Sequence, residues 1–512
     1  MLKRLQTVLF VSALLFGFAP RATQAQGIPA FPGAAGFGST AIGGRGGEIL
    51  FVTNLNDSGP GSLREALEKT SGPRFIVVKT SGVIQLTSRI LVRNPYVTLA
   101  CQTAPGLVVI KGAPLIISTH DVIIRGCRIR PADDPNVGEL STIRSGIRIS
   151  SGYTGQDVYN VVIDHNSLSW AIDDNLGIWT DKVKDITVSY NIISEGLYQS
   201  IHLDENKTTW DNHSMGIAIG APSGVSNPDR LSIHHNLLAH NGDRNPLDRG
   251  YQVEFVNNVI YNWGTGPVKV EEGIETGEKD AIIEGNWIES GSDTRGDKKE
   301  RPIWMDRGLK SGTEIYHANN YSPKFNSKLD DEGNMDWCST SNWETGCSDF
   351  LVGSPPFNRQ VTPTDPFQAQ TDVLASAGAT APYRDSIDSY VVLDVKNNTG
   401  SIIDCVDFCN YTDPKGKGTT GSKRVRLSNP WAQYTTESYP ADADNDGIPD
   451  SWENEHGLNP NDPSDASQTA PGGYTWIEEY ANGLITTARS LSRRVIDPGE
   501  NAIFLPMLVN KY

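Results

Sequence analysis

Positive charge is scarce in this chain. Its 512 residues carry 44 Lys and Arg against 61 Asp and Glu, a formal charge of −17 at pH 7, which argues against a nucleic acid as partner. A polyanionic substrate would need a locally basic cleft or a bridging divalent cation, and screening over about 8–10 Å leaves only the nearby charges to decide this. Long apolar runs are lacking as well. Beyond residue 25 nothing approaches the roughly 20 apolar residues that cross a bilayer, so no membrane span is expected. Cysteine is limited to six residues, none in a catalytic setting. Hydrophobic residues make up only 38%, enough for a narrow core rather than a thick one.

Against this background the first 25 residues stand apart. Lys3 and Arg4 precede an apolar stretch from Val8 to Ala19 and then small residues ending in Thr23-Gln24-Ala25, the pattern of a secretory leader cleaved after Ala25. A secreted, soluble monomer is therefore expected. In an oxidising compartment the cysteine spacing suggests local pairs, Cys338 with Cys347 and Cys405 with Cys409, while Cys101 and Cys127 either stack or bond.

The body of the chain repeats. Seven segments share one pattern: DVIIRGCRIRP from Asp121, NVVIDHNSLSW from Asn160, DITVSYNIISE from Asp185, RLSIHHNLLAH from Arg230, YQVEFVNNVIY from Tyr251, DAIIEGNWIES from Asp280 and TEIYHANNYSP from Thr313. Alternation with period two predicts strands. The marker residues Cys127, Asn166, Asn191, Asn236, Asn258 and Asn286 recur every 22 to 45 residues, and a short period with insertions at one point predicts a solenoid whose coils bury their apolar faces only against neighbours. The expected fold is all-β, a right-handed parallel β-helix, with the asparagines as stacked turn residues. Ser62-Leu-Arg-Glu65 fits a capping box, predicting a short N-terminal helix that covers the open first coil. The expected divisions are a leader at 1–25, the β-helix at 26–395, a Cys-containing linker at 396–440, a calcium-binding region at 441–485 and a tail at 486–512, whose last ten residues, IFLPMLVNKY, are mostly apolar.

Two motifs carry chemistry. Residues Arg244 to Gly250 read RNPLDRG and lie between two repeats, so Arg244 and Arg249 share a loop on the stacked strands and form a cationic patch able to hold a sugar acid. Near the C-terminus, Asp442, Asp444, Asp446, Gly447, Ile448, Asp450 and Glu453 fill positions 1, 3, 5, 6, 7, 9 and 12 of DADNDGIPDSWE, an EF-hand-like calcium loop in which Ile448 offers its backbone carbonyl. Short helices are expected over Ser451–His456 and Thr475–Asn482. None is expected before the loop, because Tyr439-Pro440 interrupts the chain.

In order along the chain, AFPGAAGFGSTAIGGRGGEILFVTNLNDSGPGSLREAL, SGVIQL, VTLACQTAPG, VVIDHNSLSWAIDDNLGIW, RNPLDRG, VEFVNNVIYNWG and the DADNDGIPDSWE loop resemble the secreted pectate lyases of polysaccharide lyase family 1, nearest to a branch with an appended calcium loop. The resemblance spans roughly residues 29 to 485. It implies a Ca2+-dependent β-elimination of polygalacturonate, with Arg244 removing the C5 proton and Arg249 holding the uronate carboxylate. Asp173 and Asp174 match the family's acidic pair and are the cleft candidates for calcium ligands. The chain departs from the family at Ser145, which stands where an aspartate is usual, and near His213, which lies close to the place of the family's substrate-contacting lysine and becomes a substrate-binding candidate.

An arginine base is physically awkward, since its pKa exceeds about 12. His202 and His213 belong to the long insertion over the cleft, whereas His165, His234 and His235 lie on strands as structural residues. Trp170, Trp179, Trp210 and Trp263 are candidates to stack on sugar rings. Two other classes compete. A glycosidase on the same fold would hydrolyse with paired carboxylic acids, for which Asp173 and Asp174 could serve, yet the strings Asn-Thr-Asp, Gly-His-Gly and Arg-Ile-Lys of polygalacturonases are missing. A calcium-stabilised module could instead bind acidic glycans without cleaving them.

Overall fold

The computed structural model describes residues 27–138, 141–203, 212–271, 279–296, 302–305, 309, 311–323, 336–338, 350–409 and 424–495. The leader, Trp210, Cys347 (and with it the expected pairing to Cys338) and the apolar end of the tail lie outside the described residues. Alternating apolar residues form short strands that pair only in parallel, into sheets of ten, nine and eight strands. From Arg74 onward successive strands of the chain fall in different sheets, so each turn of the chain through the body of the solenoid adds one strand to each sheet. This is a parallel β-helix, and parallel strands joined by such crossovers wind right-handed.

The ten-stranded sheet shows why the sequence pattern works. Val161 pairs with Val122 and with Ile186, and Leu231 with Val253, so like residues stack on like from coil to coil. Val122, Ile124, Val161, Ile163, Ile186, Val188, Leu231 and Ile233 have no exposed surface. The narrow core is made by repetition of β-branched and Leu side chains rather than by large residues, which agrees with the modest apolar content.

At the end of each of these strands the chain bends through one left-handed residue. Gly126, His165, Tyr190, His235, Asn257, Gly285 and Asn319 all have φ between 51° and 69°, although three of the seven, His165, Tyr190 and His235, are ring-bearing residues that seldom adopt it. The residue after each is Cys127 or a ladder asparagine. Each asparagine Nδ2 donates to the Oδ1 of the next: Asn166 to Asn191 at 3.1 Å, Asn191 to Asn236 at 2.9 Å, Asn236 to Asn258 at 3.0 Å, Asn258 to Asn286 at 3.1 Å and Asn286 to Asn320 at 2.8 Å. The same Oδ1 atoms also accept a backbone N–H from the neighbouring coil, starting with Cys127. Buried turn donors are thus all satisfied without water. Cys127 begins the row and is bonded to Cys101 one coil earlier; Cys405 and Cys409 are bonded as well. Outside, the rings of His165, Tyr190 and His235 stack at 4.9 and 4.8 Å between centroids, which gives the left-handed turn residues a packing return.

The N-terminal cap is present. Ser62 Oγ accepts the Glu65 N–H at 3.2 Å, and Leu63, Ala66 and Leu67 sink into the core of the first coils. The turn that follows, Glu65–Lys69, is wound wider than an α-helix.

Two helices were not anticipated from the sequence. Helix α1 (Pro366–Ser376) and helix α2 (Ser386–Asn397) begin at Asp365 and Asp385, whose carboxylates accept backbone N–H groups of the first turn. They pack on the eight-stranded sheet through Val373, Leu374, Val391, Val392 and Val395. Their docking is also ionic: Arg130, fully buried, reaches Asp385 at 2.6 Å and Asp388 at 2.7 Å. The 396–440 stretch that was expected to be a linker is held tightly where it is described. Arg424 contacts Asp293 and Asp404, Arg426 contacts Glu195 and Asp394, and Tyr434 meets Arg130 and Asp385. Helix α3 (Asp450–His456) follows expectation, and helix α4 (Trp476–Val495) runs well beyond the expected Thr475–Asn482.

Replacing Asn236 by Ala removes the acceptor of two Asn191 donors and strands the Val188 carbonyl. A loss of about 2–4 kcal/mol is expected from urea unfolding, several times the cost of an exposed Asn→Ala change; a change below about 0.5 kcal/mol would mean that the ladder is incidental.

Candidate active site

Asp173 and Asp174, and the segments carrying His213, Arg244 and Arg249, lie on or beside strands of the nine-stranded sheet. Strand Asp174–Trp179 pairs on one side with Ile147–Ile149 and on the other with Met215–Gly220, and Leu247–Asp248 comes next. Register therefore sets Asp174, the end of the 203–215 insertion and the RNPLDRG loop side by side on one face. A small residue keeps this face open: a Cβ on Gly220 would touch Trp179 at 3.1 Å and Arg249 Cδ at 3.3 Å, so glycine lets the indole and the aliphatic stem of Arg249 lie close to the strand.

Arg244 and Arg249 both reach the surface, and each is anchored by a buried acid. Arg244 Nη1 donates to Asp174 Oδ1 at 2.7 Å; the arginine side chain is 28% exposed and the aspartate 3%. Arg249 donates through Nε and Nη2 to Glu271 Oε2 at 2.9 and 2.6 Å, and Lys269 shares that carboxylate. Below the loop, Lys279 pairs with Asp248 at 2.8 Å and donates to the Gly250 carbonyl, which fixes the segment carrying Arg249. Partial burial alone would lower the Arg244 pKa, but Asp174 at contact outweighs it and the pKa is raised.

Asp173 is surrounded. Ser145 Oγ donates to its Oδ2 at 3.1 Å, Arg148 Nη1 lies 3.4 Å from the same atom, and His213 Nε2 lies 3.3 Å from Oδ1. Burial pushes both acids up; in Asp173 the His213 contact and Arg148 more than reverse this, while Asp174 stays raised, with Asp173 adding to the burial. The rings of His202 and His213 stack face to face, 3.8 Å apart and 7° from parallel. Burial, helped by His213, lowers the His202 pKa to about 4, so this ring is neutral at ordinary pH.

Asp173, His202 and His213 bring three potential ligand atoms within 4.8 Å. A metal ion must lie close to the plane of each imidazole that ligates it. Two stacked, near-parallel rings share no such point, so this trio does not fit a common ion. Of the tryptophans, Trp170 and Trp263 are core residues, and Trp170 donates to Glu195; Trp179 alone of the described candidates borders the cleft, and Trp304, over which Lys269 sits at 4.9 Å, joins it.

A second site lies on the other side of the solenoid. The 442–453 loop is pinned to the first coils by Lys79, which reaches Asp442 at 2.8 Å and Asn445 at 2.7 Å, and by Ile448, buried against Phe75, Val77 and Ala100. Gly447 (φ +97°) is required here, since a Cβ would strike Phe51 and Val77 at 3.0 and 3.1 Å. Carboxylate oxygens converge. Asp442, Asp444 and Asp446 form one group within 4.8 Å, and Asp446, Glu453 and Asp465 form another. Asp444 Oδ2, Asp446 Oδ2, both Glu453 oxygens and Asp465 Oδ1 are buried without any hydrogen-bond partner. Burial and mutual repulsion drive Asp446 and Glu453 up to about 7 each. Orphaned anionic oxygens in this number fit a hard divalent cation such as calcium. Asp450 instead accepts the Ala443 N–H at 2.7 Å, as suits a ninth position that acts through water. Asp465 was not singled out in the sequence, because it lies twelve residues past the loop and only the fold returns it there.

A parallel β-helix whose open sheet face presents arginines braced by buried acids defines a class of carbohydrate-active solenoid. No family model matches the chain. Curated relatives do: the probable pectate lyase C of Aspergillus flavus is 33% identical over 463 residues, covering 90% of this chain and 94% of that one, and the probable pectate lyase C of Emericella nidulans is 31% identical over 489 residues, 94% and 98%. Among solved structures, the cedar pollen allergen jun a 1 aligns at 18% identity and TM-score 0.46 over 67% of this chain and 92% of its own. Pectate lyase II of Xanthomonas campestris aligns at 16% and 0.42, over 69% and 100%. The chain belongs to the pectate lyases.

Calcium is expected to raise the melting temperature, and Asp465→Asn to cut that rise by half or more while Asp450→Asn changes it less. Terbium luminescence sensitised by Trp452 or Trp476 would report the affinities; equal affinities for wild type and Asp465→Asn would remove Asp465 from the site.

Proposed function

We propose that this polysaccharide lyase, exported by its leader, cleaves (1,4)-α-D-galacturonan by β-elimination at the nine-stranded face. The reading is carried by one observation: Arg244 and Arg249, both partly exposed, stand on a single loop and are each oriented by a buried carboxylate. Loss of the C5 proton places negative charge on a carbon next to the uronate carboxylate. Cations fixed beside that carboxylate stabilise the charge. The C4–O bond then breaks, a C4=C5 double bond forms, and the leaving sugar oxygen takes a proton from solvent.

In this scheme Arg249, with Lys269 beside it, holds a substrate carboxylate, and His213 contacts the sugar over Asp173. Arg244 faces C5. Its pairing with Asp174 favours the guanidinium, so proton abstraction by Arg244 requires substrate to loosen that pair and alkaline pH to supply the neutral form. Hydrolysis by Asp173 and Asp174 is less well supported, because each carboxylate is already engaged by a guanidinium. Residues 441–485 act as a calcium-dependent clip on the solenoid; calcium bound there would supply cohesion and takes no part in elimination.

The test is ultraviolet absorbance of polygalacturonate incubated with the purified protein at alkaline pH, which should rise as conjugated uronide ends form, with Arg244→Ala lowering the rate by at least about 100-fold. New reducing ends without absorbance would mean hydrolysis. The pH profile adds a second check. The rate should still be climbing near about pH 10, since Asp174 raises the Arg244 pKa above the already high arginine range. Asp174→Asn removes the charge that holds Arg244 protonated, lowers its pKa and moves the rising limb to lower pH; a limb that stays put would acquit Arg244 as the base.

A further inference from the structure

Cleft calcium is poorly matched by the residues present. Calcium takes six to eight oxygen ligands at about 2.3–2.6 Å, whereas the surroundings of Asp173 and Asp174 are a hydroxyl from Ser145, imidazoles from His202 and His213, and guanidinium groups from Arg148 and Arg244. Asp173 and Asp174 are each already paired with a guanidinium, so a divalent ion between them would have to displace fixed cations.

Arg148 is the guanidinium nearest to Asp173. It lies in strand Ile147–Ile149 between two residues that point into the core with no exposure, so alternation turns its side chain out onto the cleft face. Its register partner on the next coil is Gly177. A Cβ on Gly177 would meet Arg148 Cγ and Nε at 3.7 Å, and Asp174 Oδ2 at 4.0 Å. The arginine therefore leans across the glycine toward the acid pair, into space that a side chain at 177 would occupy. Its Nη1 ends 3.4 Å from Asp173 Oδ2 with 14% of the side chain exposed, and its charge acts on both aspartates.

We propose that Arg148 is the built-in cation of this cleft: its guanidinium occupies the place beside Asp173 and Asp174 and contacts the uronate carboxylate in calcium's stead. Elimination then needs calcium only for the C-terminal clip. Arg148, on strand Ile147–Ile149, and the Arg244 and Arg249 pair, three strands further along the same sheet, put three guanidiniums on one face, and a guanidinium suits a planar carboxylate through paired donors where a lysine gives a single point charge. This inference rests on the lyase reading above.

The experiment compares wild type, Arg148→Gln, Arg148→Lys and Gly177→Val on a soluble oligogalacturonate, in chelator and in millimolar calcium. Near-UV circular dichroism confirms folding at the assay temperature. For wild type, turnover per folded molecule should differ less than threefold between chelator and calcium. Arg148→Gln should lower kcat/KM roughly 10- to 100-fold in both conditions, Arg148→Lys should recover part of it, and Gly177→Val should act like Arg148→Gln by displacing the arginine. A tenfold or larger calcium requirement of folded wild type, or an Arg148→Gln rate within threefold of wild type, would overturn the proposal. If wild type shows no lyase activity, the lyase reading fails, and oligogalacturonate binding followed by tryptophan fluorescence still decides for Arg148: binding at least tenfold weaker in Arg148→Gln supports it, and equal binding refutes it.

Discussion

Everything in this molecule depends on holding successive coils in one register. A solenoid coil has no partner but its neighbours, and a slip of one residue would turn each buried side chain outward. The asparagine row prevents this by giving each coil two directional hydrogen bonds to the next, in a dry interior where an unmade bond is costly. The left-handed residue before each asparagine makes the bend that places the amide there. Because the register holds, residues far apart in sequence, such as Arg148, Asp174 and Arg244, meet on one face at fixed separations.

The cleft shows how charge is managed in a half-buried surface. Asp174, Asp173 and Glu271 are sheltered while their arginine and lysine partners reach toward solvent. Each acid is expensive to bury alone and is made tolerable by its partner. The consequence is orientation: long, flexible guanidinium side chains are held against strands and lose little further freedom when a carboxylate arrives. An overall acidic protein can in this way present a basic strip, which answers the conflict between its net charge and an acidic polymer.

Much of the fold was legible because its signals are periodic. Alternating Val and Ile, and the asparagine after each strand, recur in sequence as they stack in space. The RNPLDRG loop and the 442–453 loop were legible for a different reason, since their chemistry is contiguous. What escaped was non-periodic and assembled from distance. Helices α1 and α2 carry Asp caps, but their apolar stripes are weak, and it is the buried Arg128 and Arg130 from the repeat that draw them in. Asp465 and Arg148 escaped likewise: neither stands in a motif, and each acquires meaning from a neighbour supplied by another coil or segment. Trp170 and Trp263 illustrate the converse, residues with an attractive chemical reading that the core absorbs.

The 442–465 clip does not join neighbouring coils; it ties the far end of the chain to its beginning, through Lys79, Phe51 and Val77, with Arg45 pairing to Glu478 nearby. Stacked repeats come apart most readily from a terminus, where a coil has one neighbour instead of two. On the proposed reading of residues 441–485 as a calcium clip, the vulnerable N-terminal edge is covered by a latch whose ion would have to leave before the first coil could peel away. That converts ambient ion activity into a lifetime: with the latch filled, unravelling and digestion would be slow even where equilibrium stability is ordinary, and without it the same fold would be short-lived.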